Sequence, residues 1–101
     1  MPTPGETFKK LDPELLKRVS DTKKFAFETD GAIPKKYKYL IAMAMDIGNG
    51  AVHSVRGLAK SAVAAGATKE EIGEAVRIAH YIKSAATLNV AGKALEDLFQ
   101  P

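Results

Sequence analysis

An all-helical, single-domain bundle of about five helices is the fold class this sequence predicts, and three observations carry it. Apolar residues recur at helical spacing, and no segment shows the sustained alternation of a half-buried strand. Helix boundaries are written into the chain at Asp12-Pro13-Glu14, at Gly66 and at Thr68-Lys69-Glu70-Glu71. A hydrophobic content of 46% with 27% charged residues lies in the ordinary soluble globular range, and 101 residues suffice for one domain with a modest core.

Residues 1–10 are expected to be extended or flexible, because Pro2, Pro4 and Gly5 oppose regular structure. Asp12-Pro13-Glu14 then opens the first helix. Asp is a favoured N-cap, Pro fits the first helical position and an acid suits the first turn. That helix carries Leu11, Leu15, Val19 and Ala26 at near-helical spacing and should end by Asp30-Gly31. Ile33-Pro34 leads into a second helix with Tyr37, Leu40, Ile41 and Ala44 on one face. Met43 and Met45 are read as core, and Gly48 and Gly50 as the break.

The third helix is expected over residues 51–65, with Val52, Val55, Ala59, Ala62 and Val63 as its apolar face and Gly66 at its end. Thr68 and Glu71 spell a capping box for the fourth, whose buried face should be Ile72, Ala75, Val76 and Ala79. Ser84 could cap a fifth helix bearing Thr87, Ala91, Ala94, Leu95 and Leu98. One bent helix over the whole stretch is the alternative. Gly57, Gly73 and Gly92 each cost about 1 kcal/mol inside a helix relative to Ala. Close helix–helix approach would offset this, and the alanine-rich faces suit self-association.

Composition excludes several functions. The chain has no cysteine, so disulfides, thiolate nucleophiles and cysteine-held metals are out. Two histidines on different helices do not make a metal site, and neither a metal nor a cofactor is expected. The longest apolar run, Leu40 to Met45, is far too short to span a bilayer, and no apolar leader is visible, so a cytoplasmic location is expected. The net charge of +3 arises in residues 1–38, with nine Lys/Arg against six Asp/Glu. These lysines come in pairs among acids, the pattern of a solvated helix face, and nucleic-acid binding is not expected.

The candidate site lies at the start of the third helix. His53, Arg56 and Lys60 fall at i, i+3 and i+7 and share a face. Free N–H groups and the helix dipole favour an anion there. A small carboxylate could be held by Arg56 and those N–H groups, with His53 exchanging a proton near neutral pH. The alternative is that both are surface or cap residues with no ligand. Tyr39 diverges from the Tyr37 face and could line a cleft. Asp46 and Asn49 read as caps. His80, beside Tyr81, reads as a packed or interfacial residue.

The segments Asp30-Gly31-Ala32-Ile33, Lys38-Tyr39-Leu40-Ile41-Ala42-Met43-Ala44 and Gly66-Ala67-Thr68-Lys69-Glu70-Glu71-Ile72 resemble the carboxymuconolactone decarboxylase family, which includes the alkylhydroperoxidase D-like proteins. The likeness runs from Leu11 to Leu95. It implies an all-helical fold and homo-oligomers, commonly trimers or hexamers built from trimers. The peroxidase-like branch of that family uses Glu-x(11)-Cys-x-x-Cys-x-x-x-His. By the resemblance, Tyr39 stands at the Glu position, Ala51 and Ser54 at the two Cys positions and Leu58 at the last His position, leaving His53 alone. Cysteine-based peroxide reduction is therefore not available. The lactone-decarboxylase branch resembles Glu-His-Glu-x-Arg-x-His, of which His53 and Arg56 remain.

Two functions follow as expectations. One is a non-thiol decarboxylase-like protein acting on or binding a small carboxylate or lactone, with His53 as the catalytic candidate and Arg56, Ser54 and Tyr39 as ligand-binding candidates. The other is a non-catalytic oligomeric scaffold or ligand-binding member of the same family.

Overall fold

The computed structural model describes residues 3–99, in which five α-helices and no strand occur. Contacts divide the chain into two compact units, residues 1–35 and 36–101.

The first unit is a pair of helices, α1 (Pro4–Leu11) and α2 (Pro13–Glu28). The expectation of an extended or flexible start over residues 1–10 is corrected from Pro4 onward, where the chain is helical; Met1 and Pro2 lie outside the described residues. Thr3 caps α1 with its hydroxyl, which accepts from the Glu6 N–H at 3.1 Å, and the Glu6 carboxylate accepts from the Thr3 N–H at 3.1 Å. Pro4 occupies the first helical position, where its missing N–H costs nothing. Asp12 serves both helices. Its N–H closes α1 on the Phe8 carbonyl at 2.8 Å, and its carboxylate accepts from the Leu15 N–H at 3.0 Å to start α2. No residue of α1 or α2 is buried.

The second unit holds α3 (Lys35–Asn49), α4 (Val52–Ala64) and α5 (Lys69–Leu95). Its core is small: Leu40 and Met43 from α3, Ala62 from α4 and Ala67 from the following turn. Tyr39, Ile47, Val55, Leu58, Ala59, Ile72 and Ala75 pack around it. Met43 is 1% exposed, and burying such a side chain stabilises by about 1.5–3 kcal/mol. The α4–α5 turn fits the Schellman pattern. Gly66, at φ 104°, donates to the Val63 carbonyl, and Ala67 donates to the Ala62 carbonyl, each at 2.9 Å. Ala62 and Ala67 are both buried, so the turn is sealed by two methyl groups.

Thr68 and Glu71 form the capping box in both directions. The Glu71 carboxylate also pairs with Lys36 at 3.0 Å, which fastens the first turn of α3 to the first turn of α5. The Lys36 ammonium lies 5.0 Å from the centre of the Tyr37 ring, and the Tyr37 hydroxyl stands 3.5 Å from Glu71.

Other expectations need correction. Gly48 stays helical, and α3 ends only before Gly50, whose φ is 71°. A lone helical Gly weakens a helix without ending it, whereas positive φ ends one. Of the two readings of the C-terminal stretch, one helix over residues 69–95 is the one observed, so Ser84 caps nothing, and the total of five is reached through α1 instead. Met45, Val52, Val63 and Val76 are exposed, as are Tyr37 and Ile41. The core takes a narrower strip of each helix than the apolar residues occupy. Nor does a neighbour crowd the interior glycines: a Cβ added at Gly57, Gly73 or Gly92 would meet no atom within 4 Å.

Candidate functional site around the α3–α4 turn

The site segment is built by two turns of chain. The Gly50 N–H donates to the Ile47 carbonyl at 3.1 Å and the Ala51 N–H to the Asp46 carbonyl at 3.0 Å, which closes α3. The chain then enters α4 directly. Ala51 is the N-cap and has no side-chain oxygen, so α4 starts without a side-chain cap.

One carboxylate stands beside that start. Ser54 donates its hydroxyl to the Asp46 carboxylate. Asp46 is eight residues earlier and half-buried, and the turn at Gly50 brings the two together. A carboxylate near a helix N-terminus complements the dipole, so the protein supplies an anion of its own there. Asp46 also lines a shallow hollow of about 230 Å³ with Ile47, Gly50, Ala51, Val52 and Val55.

His53 and Arg56 point elsewhere. Both are exposed, and neither lines that hollow. Ala62, the fully buried residue of α4, is nine positions after His53, about half a revolution round the helix at 100° per residue. His53 therefore faces solvent directly opposite the core, with Arg56 and Lys60 beside it. Tyr39 and Leu58 turn the other way and pack against the core cluster. Of the sequence-predicted candidates, the structure places His53 and Arg56 together on an open face, binds Ser54 to Asp46 and sets Tyr39 against the core.

Sequence reasoning missed two features. Asp46, a cap by residue type, is instead the acceptor for Ser54, and the signal for it is an acid before a Gly-rich turn with a hydroxyl in the next helix. The second is a groove between α3 and α5 of about 500 Å³, lined by Tyr37, Leu40, Ile41, Ala75 and Ile78, with Glu71 and Glu74 at one end. Within the polar cluster there, Lys36 is raised above its ordinary value of 10.5, first by the hydrogen bond to Glu71. Glu71 is held below its ordinary 4.5, first by the Thr68 backbone N–H and then by Lys36.

Among the described residues, no group of acids and histidines is placed to hold a metal ion, and no helix is long and apolar enough to cross a membrane.

Fold and segment together define a small all-helical protein whose site segment, a helix–turn–helix, carries histidine, arginine and a serine–aspartate pair but no thiol. The carboxymuconolactone decarboxylase family model matches residues 13–97, and the chain belongs to that family. Comparison with curated proteins and with solved structures gave no match.

Proposed function

We propose that this chain is a cysteine-less, self-associating member of the carboxymuconolactone decarboxylase family that serves as a scaffold or binding protein and not as a thiol peroxidase. The observation that carries this reading is the fate of Tyr39 and Leu58. At the positions where the resemblance implies a glutamate and a histidine, both side chains pack against the hydrophobic core. Both contribute to packing there, and neither position offers the glutamate or histidine that could transfer a proton. The breadth of exposed apolar side chains on α3 and α5 favours assembly, in line with the trimers and hexamers the resemblance implies. Incubation of pure protein with a small lactone acid and, separately, with a hydroperoxide tests the reading. No turnover above background is expected. Turnover of the lactone acid that disappears in His53→Ala would overturn it.

The pairing of His53 and Arg56 on one face beside the uncapped start of α4 favours a second reading. In it, a small carboxylate or lactone binds there, with Arg56 holding the charge and His53 handling a proton. Calorimetric titration of a small carboxylate into wild type and Arg56→Ala separates the two readings. Binding that Arg56→Ala weakens supports the second.

A further inference from the structure

We draw no further inference here: the strongest candidate, the apolar groove between α3 and α5 with the Glu71 and Glu74 carboxylates at one end, carries nothing because no feature of the structure shows what covers it.

Discussion

Ser54 donates its hydroxyl to the carboxylate of Asp46 and thereby joins the first turn of α4 to the closing turns of α3 across Gly50. Ser54→Ala removes the donor and should lower stability by about 1 kcal/mol, as read from urea unfolding. An unchanged midpoint would show that the bond adds nothing in solution. The same pair bears on ligand binding. Asp46→Asn keeps an acceptor for Ser54 and removes the negative charge beside the start of α4. If a carboxylate binds at His53 and Arg56, its affinity should rise about fivefold in this variant, the worth of one screened charge contact. Titration calorimetry reads this, and an unchanged affinity would place the anion elsewhere.

The two methionines of α3 have opposite fates. Met43 is 1% exposed and Met45 is 67% exposed. Met43→Ala should cost about 2–5 kcal/mol, whereas Met45→Ala should stay within about 0.5 kcal/mol for the isolated chain. Chemical denaturation of both variants checks the contrast, and equal losses would refute the assignment of the core.

Glycine positions separate in the same way. Gly66 holds φ at 104°, where a side chain strains the backbone, so Gly66→Ala should destabilise by about 1 kcal/mol or more. Gly57 is helical with open space around it, and Gly57→Ala should stabilise by up to about 1 kcal/mol. Thermal melts of the pair decide, and a loss at position 57 would reveal a neighbour against that face.

The Lys36–Glu71 pair sets a pH dependence of defined sign. Glu71 is held below its ordinary 4.5, so its share of stability is present above that value and is lost as acid carries the pH down through its folded value. Lys36 is raised above 10.5, so its share persists up to that value and is lost only at higher pH. Glu71→Gln preserves an acceptor for the Thr68 cap and abolishes the charge. The fall in Tm below about pH 5 should be shallower in this variant than in wild type. Superimposable acid limbs would remove Glu71 as a contributor.

What was legible in the sequence is what local chemistry decides. Asp12, Gly66 and the Thr68–Glu71 box act within a few residues of themselves, and each appears as read. α1 is legible too, since Thr3-Pro4-Gly5-Glu6 is the same capping box: proline opposes a helix in its interior, but at the first helical position Pro4 starts one. Ser84 is a plausible cap by type, yet no Gly or Pro precedes it to stop α5. Thr87 within that stretch bonds back to the Lys83 carbonyl at 2.9 Å, as a hydroxyl inside a helix does. Periodicity could not tell which apolar strip would be buried, because Val52, Val63 and Met45 repeat as regularly as Ala62 and Met43. The His53–Arg56 face was legible from spacing. The Asp46–Ser54 bond was not, because it depends on how the chain turns at Gly50.

The division of α4 into a packed side and an open side has a consequence for inheritance. Folding information sits in Val55, Leu58, Ala59 and Ala62, while His53 and Arg56 carry none of the packing. Reactive groups on the open side can be discarded or regained one codon at a time without endangering the scaffold. Substitutions at His53 and Arg56 can therefore change the chemistry of that face while the packed side keeps the fold.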